Sequence, residues 1–205
     1  MDYTQLASTE SVEKTMKGLE SRRFKSLVLE SGKDAFEYIK KAIPKGASIM
    51  NGSSVTLEDI GVVEYLKAGE HGWNNLHAAI LAEQDQAKRA ELRKHSVVSD
   101  YYLGSVHALT EEGEMVIASN TGSQQPHLVY TSPNLILVVS TKKIVPTLVS
   151  AFERIEKHVV PLEDEHMKKL YGSGTMRNKT VILHGESPMM KRSVTVVLVK
   201  ENLGF

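Results

Sequence analysis

The chain has 205 residues, with 25 Lys and Arg against 25 Asp and Glu, so no net charge draws it to nucleic acid or to an anionic membrane. It has no cysteine, which excludes disulfides, thiolate metal sites, iron–sulfur ligation and a cysteine nucleophile. The polar start MDYTQLASTESVEK lacks the pattern of a signal peptide, and no apolar run approaches the roughly 20 residues of a membrane span, so a soluble, cytoplasmic protein with one domain over residues 1–205 is expected.

Val12, Met16 and Leu19 stand at i, i+4 and i+7 and predict an amphipathic helix at the start. Phe24–Leu29 reads as a short strand. Ala35, Phe36, Ile39 and Ile43 predict the next helix, ended by Pro44-Lys45-Gly46. Ala47–Met50 is a second strand, and Asn51-Gly52-Ser53-Ser54 a tight turn. Leu57, Ile60, Val63 and Leu66 then mark one helix, stopped at Gly69. Helices alternating with strands in this way predict a parallel sheet with right-handed crossovers. Residues 83–94 are charged and helix-favouring, as in an exposed helix.

The segment from Ser99 to Ser140 is the most informative. Glu114–Ala118 is an apolar strand, and the small polar loop 119–125 follows it. Leu135–Val139 is wholly apolar, as expected of a strand buried on both faces. The helical spacing of Leu148, Val149, Phe152 and Ile155 predicts a helix over 145–159, with Pro161 after it. Val181–Leu183 and Val194–Val199 are read as an antiparallel edge pair.

Two loops are candidate ligand sites. Asn51, Gly52, Ser53 and Ser54 lie between a strand and a helix, where a glycine lets a ligand approach the backbone. Asn120, Thr121, Gly122, Ser123 and Gln124 offer amides, hydroxyls and backbone N–H groups to the oxygens of a ligand. Lys143 follows a strand end and can pair with an anion; the alternative is a surface lysine. Glu111 and Glu112, ahead of a strand, are candidates for a base or nucleophile, the alternative being a solvated turn. Lys191-Arg192 reads as a solvated strand start. The histidines are scattered, without H-x-x-x-H spacing, and no metal site is predicted.

The stretches GSSVTLEDIGVVEYLKAG, SDYYLGSVHALTEEGEMV, NLILVVSTKKIVPTLVSAFERI and VTVVLVKENLGF together resemble the LUD-domain family of lactate-utilisation proteins. Gly52, Ser53, Thr56, Leu57, Ile60 and Gly61 carry the first match, and Asp100, Ala108, Glu111 and Gly113 the second. Lys143, Ile144, Val145, Leu148 and Ala151 carry the third, and Glu201, Leu203 and Gly204 the fourth. The resemblance implies a three-layer α/β sandwich with a mostly parallel sheet, like the NagB/RpiA/CoA-transferase group. It also implies a site at the strands' carboxyl ends that takes a small anionic metabolite or a cofactor, whose identity it leaves open. Further lactate-utilisation subunits or a second copy of the chain are the partners it implies.

Two departures matter. Gln124-Gln125 stands where many short relatives carry Asn-Arg, and the cysteine-rich stretch common in the family's C-terminal third is absent. Two other readings remain: a stand-alone isomerase or CoA-transferase-like enzyme using Glu111 or Glu112, and a non-catalytic assembly subunit.

Overall fold

The computed structural model describes residues 1–205. Its central layer is a six-stranded sheet made of β1 (Lys25–Leu29), β2 (Ser48–Asn51), β3 (Asn74–Asn75), β4 (Tyr101–Gly104), β7 (Asn134–Ser140) and β10 (Ser193–Val199), in the order β1-β10-β7-β4-β2-β3. Every pairing in it is parallel. The fold is thus the expected α/β sandwich.

Both faces of this sheet are covered, and strand periodicity shows how. Along β10, Val194, Val196 and Leu198 join one core cluster while Val197 and Val199 join another. Along β7, Leu135, Leu137 and Val139 face the first and Ile136 and Val138 the second. The second cluster includes Ala35 and Ile39 of α2 (Gly32–Ala42), Leu57 of α3 (Val55–Asp59) and Leu66 of α4 (Val62–Ala68). The first includes Val12 and Leu19 of α1 (Thr9–Ser21) and residues of a second sheet.

That second sheet was not anticipated. It contains β5 (Ala108–Thr110), β6 (Met115–Ser119), β8 (Ile144–Val145) and β9 (Lys179–Leu183), in the order β8-β5-β6-β9. β6 is antiparallel to both β5 and β9. Its other face packs on Ala151 of α7 (Leu148–Arg154) and on Ile155.

Four expectations are corrected here. The strands 181–183 and 194–199 do not pair with each other. β9 sits at an edge of the second sheet, whereas β10 lies between β1 and β7. Burial explains the difference: the SVTVVLV run is buried along nearly its whole length, and KTVIL is at most half-buried. Residues 57–66 form two helices, because Gly61 takes a left-handed φ of 82° between α3 and α4. Pro161 does not end its helix. A π-helical turn, Ile155–Val159, leads into α8 (Val160–Tyr171), so the proline falls in the first turn, where its missing N–H costs little. Arg192 is no solvated strand start: its guanidinium is buried and donates to the carbonyls of His127, Leu128, Val129 and Ser132.

The exposed helix expected over 83–94 is present, and a further short helix precedes it. α5 (Leu76–Ala82) buries Ile80, and the charged α6 (Gln86–His95) buries nothing. No helix is long and apolar enough to cross a membrane.

Candidate functional site

Four strands of the parallel sheet end on one cleft. The turn after β2 contributes Gly52, Ser53 and Ser54, followed by Val55 and Thr56 of α3. β4 and the residues after it contribute Tyr102, Gly104, Ser105 and His107. Lys143 comes from the turn after β7, and Phe205 from the segment after β10. Gln124 and Glu163 complete the wall. The enclosed volume is about 70 Å³, enough for a small polar molecule. Ligands of open α/β sheets bind at this end of the strands.

Lys143 is the chemical centre. It is buried, and its Nζ donates to Thr56 Oγ1 at 2.9 Å and to Ser105 Oγ at 3.1 Å. Burial, then the charges of Arg154 and Lys142, pull its pKa down to about 7, against a small opposing pull from Asp59. Lys142 is buried too, but it is spent on structure. Its Nζ donates to Gly204 O at 2.6 Å and to Asn202 Oδ1. Arg154 shows no exposure, and its Nη1 donates to His107 O. Every hydrogen bond from these three cationic side chains ends on a neutral oxygen. Burial lowers the Arg154 pKa to about 10. Three buried cations without a carboxylate partner leave a positive field in and behind the cleft.

The C-terminal residues are strapped across this region. Glu201 Oε2 accepts from Gly32 N at 2.7 Å, and Asp59 Oδ2 accepts from Gly204 N at 2.7 Å. Gly204 has a φ of 63°, and a Cβ there would lie 2.2 Å from Thr56 Oγ1 and 3.0 Å from Lys143 Nζ. Only a glycine fits beside the lysine. On the opposite wall a Cβ on Gly52 would lie 2.6 Å from the Tyr102 hydroxyl. The Gly52 amide faces that hydroxyl, whose pKa burial raises. His107 is held neutral by burial, with its pKa down to about 3, and its Nδ1 accepts from Ala118 N at 3.1 Å. Burial pushes the Glu163 carboxyl up.

A second hollow of about 250 Å³ adjoins the cleft and shares Gly52, Ser53, Tyr102 and Gln124 with it. Asn51, Ser123, His77, His127, Met50, Ile80 and Arg93 line it. Tyr102 stacks on His127 there, with ring centroids 4.7 Å apart.

The structure therefore brings Gly52, Ser53, Ser54, Gln124 and Lys143 to one cleft, with Asn51 and Ser123 next door. Asn120, Thr121 and Gly122 line neither hollow. The Asn120 side chain accepts from Asn178 Nδ2 at 2.6 Å, Thr121 Oγ1 bonds Ser123 Oγ at 3.2 Å, and Gly122 N donates to Ser119 Oγ at 2.8 Å. This part of the loop is satisfied within itself and by Asn178 and Lys179.

Glu111 and Glu112 are not brought to the cleft. They sit in the turn after β5, whereas His107, before β5, lines the cleft. Glu111 accepts from Ser11 Oγ at 2.8 Å, and both carboxylates pair with Lys14 of α1. Gly113 lies against the same helix: a Cβ there would meet the Gly18 carbonyl carbon at 2.4 Å. The Glu-Glu-Gly turn is a dock for α1.

Sequence reasoning missed Ser105, Tyr102, His107 and Glu163 as site residues, and gave Thr56 only as part of the family match. Thr56 and Lys143 are 87 positions apart and only the fold joins them. The one signal on hand was that Ser105 stands directly after a strand.

A family model described as LUD domain matches residues 12–199. A solved DUF162 family protein from Deinococcus radiodurans superposes with a TM-score of 0.58 at 14% identity, covering 95% of this chain and 99% of its own. At that identity the likeness speaks for the fold alone. No curated protein matches the chain.

Proposed function

The chain belongs to the LUD-domain family, and from that premise we propose that it binds a small organic acid of the lactate type in the cleft around Lys143. The observation that carries this reading is the buried Lys143 amine, which lines the cleft and has hydroxyls but no carboxylate as partners. A carboxylate entering beside it supplies the counter-charge that the protein withholds. Arg154 and Lys142 add to the attraction from behind. Ser53 lines the same cleft and offers its hydroxyl to the rest of the acid, while the Gln124 amide there is engaged with Ser119 and Ala118. The role in organic-acid utilisation, whether alone or with further subunits, rests on the family.

Calorimetric titration of the full chain with L-lactate and with pyruvate tests this. Binding in the millimolar to micromolar range is expected for the wild type. Lys143→Met removes the charge at similar length, and should weaken binding at least about tenfold, or roughly 1.4 kcal/mol. Equal affinity in the two proteins contradicts the reading.

A further inference from the structure

Lys143 is built for more than charge pairing. A neutral primary amine carries two N–H groups and one lone pair. Its Nζ has two acceptors in the protein, Thr56 Oγ1 at 2.9 Å and Ser105 Oγ at 3.1 Å. With both N–H groups engaged, the lone pair is the group left over. The amine lines the cleft, and the Gly204 backbone packs directly beside it, where a Cβ would lie 3.0 Å from Nζ. No carboxylate neutralises it, and its neighbours Arg154 and Lys142 are cations. Desolvation and adjacent positive charge are the two settings in which lysines act as nucleophiles.

We propose that the Lys143 amine is a covalent nucleophile that condenses with the keto group of a small 2-oxo acid held in the cleft to form an imine. This rests on the small-acid reading above and adds a reaction to it. The Nζ lone pair forms a bond to the keto carbon, and the carbonyl π pair moves to oxygen, which takes up a proton. The resulting carbinolamine loses a proton from nitrogen. Its hydroxyl takes a proton and leaves as water while the C=N bond forms, and the nitrogen of the protonated imine then releases its proton. Nothing is oxidised or reduced, and water is the only other product. Glu163 lines the same cleft with a carboxyl that burial keeps protonated to higher pH than usual. It is the general acid available for the departing hydroxyl. The acid's carboxylate answers the field of Arg154 and Lys142.

The direction of the Lys143 shift agrees. With a pKa of about 7, the unprotonated fraction at neutral pH exceeds that of a surface lysine by on the order of a thousandfold. The test is reductive trapping. The full chain is incubated at pH 7 with pyruvate and cyanoborohydride, and the modified lysines are located by tandem mass spectrometry.

The expected result is one reduced pyruvyl group on Lys143, formed at least about tenfold faster than on any exposed lysine. Lactate, which has no keto group, should slow the trapping by occupying the cleft; this arm needs no variant. Lys143→Arg should abolish the adduct while the circular dichroism spectrum stays unchanged. An adduct spread evenly over surface lysines, or one that survives in Lys143→Arg, overturns the proposal. If calorimetry records binding of pyruvate and no adduct forms on Lys143, the covalent step fails and the binding reading stands. If pyruvate neither binds nor reacts, both fail.

Discussion

A lysine amine carried out of water keeps its proton only if something replaces the lost hydration. At Lys143 two hydroxyls do so in part, and the pKa falls to about 7 from an ordinary 10.5. The consequence for stability has a definite sign. Between pH 7 and 10 the unfolded chain holds the Lys143 proton and the folded chain has largely released it. Folding is therefore opposed at and below pH 7 and relieved as pH rises. Lys143→Met lacks this linkage. In urea unfolding without ligand, wild-type stability should gain on the variant by roughly 4 kcal/mol between pH 7 and pH 10. The variant should be the more stable of the two at pH 7. A constant difference across that range contradicts the assignment.

At the same scale, Glu111 and Glu112 make the opposite test. Their ion pairs with Lys14 are partly or fully exposed, and such pairs contribute about 0.2–1 kcal/mol. Glu111→Gln with Glu112→Gln should lower stability by no more than about 1 kcal/mol and leave the affinity for lactate unchanged in calorimetry. Loss of binding places them at the site after all.

Among individual residues, Gly52, Ser53, Ser54 and Lys143 were legible, because each stands directly after a strand whose apolar run is plain in the sequence. Thr56, Ser105 and Glu163 were not, since a hydroxyl or a carboxylate looks the same on a surface as in a cleft. The alternatives for Lys143 were separated only by its burial.

Elements show where local rules held and where tertiary packing overrode them. The stripes at Val12, Met16 and Leu19 and at Ala35 and Ile39 gave α1 and α2 because half-buried helices carry that period. The spacing over 57–66 was equally regular, yet Gly61 broke it, since one residue without a Cβ lets the chain turn and start again. Pro161 misled in the other direction. A π-turn before it absorbs the missing donor, and periodicity cannot reveal such a turn.

The contact between α1 and the turn after β5 is also an element-scale device that composition hides. Gly18 and Gly113 touch backbone to backbone, and a Cβ on Gly18 would lie 2.5 Å from the Glu112 carbonyl carbon. Gly113 adds a φ of 88°. Gly113→Ala combines a clash with a strained backbone and should cost about 2 kcal/mol or more, seen as a fall of roughly 4–8 °C in Tm. An unchanged Tm means that α1 docks more loosely than the contact implies.

For the whole molecule, the architecture was readable and the partition between sheets was not. Alternating helices and strands specify a parallel α/β layer, and the wholly apolar 135–139 and 194–199 segments belong at its centre, where both faces are covered. Strand pairing over long separations has no local signature. β6 reads as apolar as β7, yet it pairs antiparallel with β9 in the other sheet. This displacement moves most of the 119–125 loop away from the cleft and leaves Gln124 as its contribution. The cleft itself survives, because it is built on the carboxyl ends of β2, β4, β7 and β10. Its positive interior follows from three cations that the fold gathers from residues 142, 143 and 154. A crystal structure grown with lactate tests the central claim most directly. Lactate should lie between Gly52 and Gln124 with its carboxylate within hydrogen-bond distance of Lys143 Nζ; lactate bound elsewhere, or a cleft that stays empty at saturating lactate, contradicts this.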